Sequence, residues 1–131
     1  MGRRLAREIA FKVLFKIDVG SNDPDFALKY SLEGEDLSRK NRDYVTRLVK
    51  GFLKNKEEID GLIREYLHGW EFERLSGVVR NLLRLSLYEI KYMEDIPSKV
   101  SINEALELAK VFDGEDSARF INGILDKAVK K

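Results

Sequence analysis

Apolar residues recur at helical spacing along almost the whole chain. Leu5, Ile9, Val13 and Ile17 stand four apart, with Ala6, Ala10 and Leu14 beside them. This predicts an amphipathic helix over about residues 3–18 with a broad apolar face. Gly20-Ser21-Asn22-Asp23-Pro24 breaks it. Asp23 is placed to cap a short second helix with Pro24 in its first turn and Phe26, Leu28 or Tyr30 turned inward. After a second break from Glu33 to Ser38, the positions of Tyr44, Val45, Leu48, Val49, Phe52 and Leu53 mark a helix ending near Asn55. Ile59, Leu62, Ile63, Tyr66 and Leu67 mark another, which stops near His68-Gly69, where glycine suits a left-handed cap. The stretch from Leu75 to about Met93 is the most apolar and predicts a central helix packed on several sides. Asp95-Ile96-Pro97 ends it, because the residue before proline avoids the helical region. Ser101-Ile102-Asn103-Glu104 reads as a capping box that opens a helix burying Ala105, Leu106, Leu108, Ala109 and Phe112. A last helix from near Ser117 to Lys127 turns Phe120, Ile121, Ile124 and Leu125 inward. No strand-like alternation competes, and there is no internal repeat. The expected fold is all-α, about seven helices over residues 1–131, one domain made of two packed small bundles.

Composition supports a folded domain. In 131 residues, 44% are hydrophobic and 36% charged, a balance that argues against disorder. No apolar run approaches the ~20 residues of a membrane span. The N-terminus runs straight into Arg-rich amphipathic sequence without an apolar signal core, so a cytoplasmic protein is expected. Cysteine is absent, which removes disulfides, thiolate chemistry and Cys-based zinc sites. Glutamine is absent as well, while Lys, Arg and Glu abound; this leans toward a thermophilic source, or is chance in a short chain.

Net charge is only +1, yet the charge is segregated. Residues 1–16 set Arg3, Arg4, Arg7, Lys12 and Lys16 against Glu8, giving +4. Residues 17–37 set six acids against Lys29, giving −5, and residues 38–56 set seven Lys/Arg against Asp43, giving +6. Such blocks can build a surface with one basic face. For residues 38–56, a set of solvated helix exteriors explains the pattern equally well.

Catalytic chemistry finds little support. His68 is the only histidine, so no histidine pair can hold a metal. The glycines are scattered rather than gathered into a phosphate loop, and no nucleophile elbow is readable. Glu57-Glu58 and Glu115-Asp116 are sequence neighbours, which does not place them on one helix face. Solvated acids near helix starts account for them, since they complement the helix dipole. No catalytic residue, metal or cofactor is expected.

Binding chemistry is better represented. Arg3 and Arg7 are four apart and share a helix face, while Arg4, Phe11 and Phe15 run along a neighbouring ridge. Single-stranded RNA binding uses this mixture: cations for phosphates, aromatic faces for splayed bases. Periodicity by itself favours core packing for Phe11 and Phe15 and a frayed, solvated terminus for Arg3 and Arg4. The loop Asp113-Gly114-Glu115-Asp116-Ser117 precedes the last helix, whose N-terminus offers free N–H groups. There Asp113 or Asp116 reads most economically as a cap; alternatively, an acid could accept from the amino groups of bases. Trp70, Phe72 and Leu75 form an aromatic-rich connection, in which a tryptophan more often closes a core than anchors a partner.

Two ordered stretches in the last third add a family resemblance. They are Ile96-Pro97-Ser98-Lys99-Val100-Ser101-Ile102-Asn103-Glu104-Ala105 and Ser117-Ala118-Arg119-Phe120-Ile121-Asn122-Gly123-Ile124-Leu125-Asp126-Lys127. Ala6-Arg7-Glu8, Ile59-Asp60, Tyr66-Leu67, Trp70, Arg74-Leu75, Leu83-Arg84-Leu85 and Leu87-Tyr88-Glu89 precede them in order. With these elements the chain resembles the NusB family of bacterial transcription antitermination factors along nearly its whole length. The two C-terminal motifs together are highly specific; the Arg-rich start is weak by itself.

The resemblance implies an all-helical fold of two small bundles and binding of boxA RNA jointly with the ribosomal protein NusE. It further implies assembly with other Nus factors on RNA polymerase, notably during ribosomal RNA transcription. By motif position, Arg3, Arg4 and Arg7 would contact RNA, and Phe15 stands where the family often has an aromatic near RNA. Asp116, Ser117 and Phe120 would belong to the same surface, with a buried role for Phe120 nearly as strong. Some family members self-associate through overlapping surfaces, so a homodimer competing with RNA is a further expectation. There are departures. The Arg-rich start is short, with Leu5 inside it, which implies weak RNA affinity without NusE. Val79 stands before Arg80 where the family often has an acid, on the helix where NusE would dock. Asp113 follows Phe112 where glycine is more usual, with Gly114 displaced by one. On this reading, replacing Arg4 and Arg7 together by alanine weakens RNA binding and barely changes thermal stability. The alternatives are the NusB-like RNA-binding module of a ribosomal RNA methyltransferase, which would need a further domain with catalytic cysteines, and a helical adaptor that binds protein without RNA. A helical enzyme is a distant third.

Overall fold

The computed structural model describes residues 2–129 and carries seven α-helices and one 3₁₀ turn among them. The helices are α1 (Arg3–Asp18), α2 (Pro24–Leu32), α3 (Arg39–Lys54), α4 (Lys56–Tyr66), α5 (Gly77–Tyr92), α6 (Ser98–Phe112) and α7 (Glu115–Val129), with the 3₁₀ turn at Phe72–Arg74. The chain divides into two compact units, residues 1–54 and residues 55–131.

In the first unit, α1 packs on α3 and α2. Ile9, Phe11, Val13 and Leu14 of α1 meet Leu28 of α2 and Tyr44, Val45, Leu48, Val49 and Phe52 of α3 in one apolar core. Asp23 caps α2 as its sequence position predicts, accepting from the Phe26 N–H at 3.1 Å. Of the three α2 residues expected inside, Leu28 is buried, but Phe26 and Tyr30 are each 61% exposed. The helical period places Ala27 and Leu28 on the inner face and sets Phe26 and Tyr30, four apart, on the outer one, where their rings stack at 5.7 Å. Arg42 organises the α2–α3 connection. Its guanidinium donates to the carbonyl oxygens of Leu32, Glu35 and Leu37, three groups that no helix satisfies.

In the second unit, α5 lies against α4, α6 and α7. Every position from Asn81 to Glu89 is buried, which bears out the central helix read from the sequence. That burial takes polar groups with it. Arg84 donates from Nε to Asp60 Oδ1 and from Nη2 to Asp60 Oδ2, both at 2.9 Å, and from Nη1 to Asn81 Oδ1 at 3.1 Å. Asn81 in turn donates to the Gly77 carbonyl at 2.8 Å. Among the described residues, every buried side-chain nitrogen or oxygen has a partner.

The capping box is not formed. α6 begins at Ser98 after Pro97, and Ser101, three residues further in, is 1% exposed. Its hydroxyl donates to Glu89 Oε1 of α5 at 2.7 Å, so a tertiary partner takes the group that the local motif assigned to a cap. α7 likewise begins two residues before Ser117. Asp116 lies in its first turn and accepts from Arg119, while Asp113 ends α6 and accepts from the Ser117 hydroxyl. Phe112 is 36% exposed rather than buried, because it falls on the last turn of α6. Trp70 does not close a core: it is 63% exposed. The left-handed glycine at the end of α4 is present, with Gly69 at φ +85° and His68 before it at φ +25°.

Asp60→Ala leaves the buried Arg84 guanidinium without its counter-charge. A loss of about 3–5 kcal/mol is expected in urea denaturation. A loss below about 1 kcal/mol would show that the pair is reached by water.

Candidate nucleic-acid interface

Within the first unit, the basic start forms the N-terminal turn and a half of α1. Arg3 and Arg7 share a face, as their spacing predicts, and that face turns toward α3. The Arg3 guanidinium lies 4.2 Å from the centre of the Tyr44 ring, and its Nε donates to Asn41 Oδ1 at 2.9 Å. The Arg7 guanidinium lies 5.7 Å from the same ring and Arg7 is 4% exposed. Tyr44 is itself buried, so two cations approach one aromatic side chain at the edge of the core. Arg4, on the opposite side of the turn, is exposed. Phe11 belongs to the core, and the half-buried Phe15 packs against it with ring centres 6.2 Å apart, tilted by 59°. The outward chemistry of this segment therefore comes from Arg4 and, in part, Arg3 and Phe15.

Within the second unit, the α6–α7 junction gathers the other predicted residues. Gly114, at φ +122°, makes the turn that a residue with a Cβ would resist. Asp116, Ser117 and Phe120 then line a cavity of about 370 Å³ together with Trp70, Arg74 and Val79. A neighbouring cavity of about 290 Å³ has Trp70 and Phe120 in its wall as well, with His68, Arg119 and Lys127. Trp70 and Phe120 meet edge to face, centres 5.4 Å apart at 71°. Phe120 is half-buried, between the two roles read for it. Sequence reasoning passed over Trp70 as a surface group. The signal that could have found it is its place directly after His68-Gly69, in a turn that sends the chain outward.

On the outer side of α4, Arg64 donates to Glu73 at 3.0 Å and lies 4.4 Å from the centre of the Phe72 ring. That hydrogen bond, helped by a backbone one, holds the Glu73 carboxyl below its ordinary range. Among the described residues, no group of three His, Asp or Glu is placed to hold a metal ion, and no helix is long and apolar enough to cross a membrane.

Cations beside aromatic rings, with acceptors and apolar walls nearby, are the chemistry of single-stranded RNA sites. The NusB family model matches residues 4–130. The chain belongs to the NusB family. It is 46% identical over 130 residues to the transcription antitermination protein NusB of Acetivibrio thermocellus, covering 99% of this chain and 90% of that one. It is 47% identical over 127 residues to the NusB of Desulforamulus reducens, covering 97% of this chain and 89% of that one. Among solved structures, T. maritima NusB superposes with a TM-score of 0.93 at 39% identity, covering all of this chain and 92% of that one. A chain from a crystal structure of the antitermination factors NusB and NusE in complex with double-stranded RNA superposes with a TM-score of 0.90 at 29% identity, covering 98% of this chain and 96% of that one. The all-α NusB fold read from the sequence is thus established.

Burial separates the N-terminal arginines. Arg7→Ala removes a packed guanidinium and its stem, and is expected to cost about 1–3 kcal/mol in thermal or urea unfolding. Arg4→Ala, at an exposed position, is expected to stay within about 0.5 kcal/mol of the parent. This corrects the expectation that removing both leaves stability nearly unchanged. Equal effects of the two single changes would contradict the placement of Arg7.

Proposed function

We propose that this chain is a non-enzymatic transcription antitermination factor whose single domain, residues 1–131, binds boxA-type single-stranded RNA together with the ribosomal protein NusE. The observation that carries the reading is its likeness, over 98% of its length, to a chain from a crystal structure of NusB and NusE with double-stranded RNA; the single-stranded form of the target rests on the exposed aromatic rings beside cations. The relatives named as transcription antitermination proteins support the same role. A second RNA-containing crystal structure, of a plectonemic RNA supercoil, holds a chain that superposes with a TM-score of 0.92 at 30% identity, covering 98% of this chain and 94% of that one.

In this reading Arg3 and Arg4 meet phosphates. Arg7, held beside Tyr44, acts by keeping Arg3 and the start of α1 in position rather than by direct contact. Phe15 presents the exposed part of its ring, and Asp116, Ser117 and Phe120 contribute acceptors and an apolar wall. Phosphate contacts confer salt dependence, and base contacts confer preference for one sequence over another. The bound protein acts in the cytoplasm within an assembly of RNA polymerase and other Nus factors, and a homodimer competes with RNA for the protein. Val79, apolar and buried on α5, withholds a charge from the NusE contact.

The test is fluorescence anisotropy with a labelled boxA-like RNA and a scrambled control, each with and without NusE, at two salt concentrations. Preference for boxA that sharpens with NusE is expected. Arg4→Ala is expected to weaken binding and to lower the log–log salt slope by about 0.7, one phosphate on a single strand. Equal binding to both RNAs would reduce the protein to a generic basic surface. NusE binding with no RNA affinity would make it a protein adaptor.

A further inference from the structure

We infer, resting on the RNA-binding reading above, that Trp70 is a stacking platform for one unpaired nucleobase, with the adjoining phosphates held by Arg119 and Lys127. Trp70 is the chain's one tryptophan, and at 63% exposure it leaves the largest aromatic surface available to a protein in contact with water. Its position is nonetheless fixed. The two left-handed residues His68 and Gly69 turn the chain outward, the Trp70 N–H donates to the Leu67 carbonyl at 3.0 Å, and the 3₁₀ turn Phe72–Arg74 follows directly. The indole then rests edge to face against Phe120. A ring that is ordered by its backbone and by one aromatic neighbour, yet mostly solvated, stacks a base with little ordering cost.

The surroundings distinguish base from phosphate. Both cavities are walled in part by Trp70 and Phe120. The larger carries Asp113 and Asp116, which repel phosphate, and Ser117; all three can accept from the amino edge of a base, and the cation in its wall, Arg74, is paired with Glu71 at 3.7 Å. The smaller carries His68, Arg119 and Lys127, which suit phosphate oxygens. Among the described residues, Arg119 pairs with Asp116 in the open, the two side chains being 70% and 96% exposed. Pairs of this kind contribute little, so the guanidinium can turn to a phosphate at small cost. Lys127 is kept nearby by donating to the Tyr66 carbonyl at 3.2 Å.

Because Trp70 has no other tryptophan to mask it, its own emission reports the contact. The probe is a boxA-like single-stranded RNA added to the full chain with NusE, followed by tryptophan fluorescence corrected for a NusE-only titration. In parallel, labelled-RNA anisotropy is measured for Trp70→Leu and Trp70→Phe, with circular dichroism melting as the check on folding. Stacking predicts quenching that saturates with RNA binding and is lost when one particular nucleotide is made abasic. It also predicts about tenfold weaker RNA binding for Trp70→Leu and partial recovery for Trp70→Phe. RNA binding without quenching, or unchanged affinity in Trp70→Leu, would overturn the platform and leave the RNA-binding reading standing. Weaker NusE binding by Trp70→Leu in the absence of RNA would assign the indole to a protein contact and overturn it too. No RNA binding by the parent chain with NusE would overturn the broader reading, and the platform with it.

Discussion

The second unit is organised around the two-pronged bond between Arg84 and Asp60. A guanidinium that is almost wholly buried must keep its charge, because arginine does not give up its proton. It is stable only where its donors are met together, by both carboxylate oxygens of Asp60 and by Asn81, which is itself anchored to the Gly77 carbonyl. The requirement fixes the rotation of α5 against α4, since a turn of either helix about its axis would leave a charge uncompensated. The apolar positions around Arg84 tolerate repacking more readily, because one aliphatic contact substitutes for another. The bond between Glu89 and Ser101 plays the same part between α5 and α6. With α5 locked on two sides, α7 packs against α5, α6 and α4 at a set height, and that height presents Phe120 to Trp70.

Helix number and approximate bounds were legible in the sequence because they depend on local spacing. Leu5 to Ile17 and Leu75 to Met93 carry unbroken periods, and the breaks at Gly20–Pro24 and Pro97 carry backbone restrictions that no tertiary contact removes. What escaped reading was decided by partners distant in sequence. Ser101 has the spacing of a cap, but Glu89, twelve residues back, claims its hydroxyl. Asp60 and Arg84 look like ordinary surface charges until the folded chain brings them together across twenty-four residues. Phe26 and Tyr30 are apolar by composition, yet the short α2 has only one inner face, and Ala27 with Leu28 fills it.

The candidate site shows the same division. The Arg3–Arg7 spacing correctly put both on one face, but helical periodicity does not say which face meets the core, and Tyr44 lies forty-one residues from Arg3. The group at Asp116, Ser117 and Phe120 was legible as a motif, since its members fall within five residues at a helix start. Trp70 joins them only through folding, and its exposure follows from backbone angles at His68 and Gly69 that side-chain hydrophobicity does not encode.

The connection between α2 and α3 has a different dependence. It lacks regular backbone pairing, and one side chain, Arg42, supplies donors to three of its carbonyls. Hydrogen bonds spread over several residues fray one at a time; these three share a single owner and are all lost when its side chain swings away. The connection from Glu33 to Leu37 is therefore expected to open as one piece, and proteolytic nicking there would read the grip of a single guanidinium more than the stability of the whole fold. Lysine gathers its three donors on one compact ammonium instead of spreading them over a planar fork, so it would match the spacing of those carbonyls poorly and turn a latch into a loose tether.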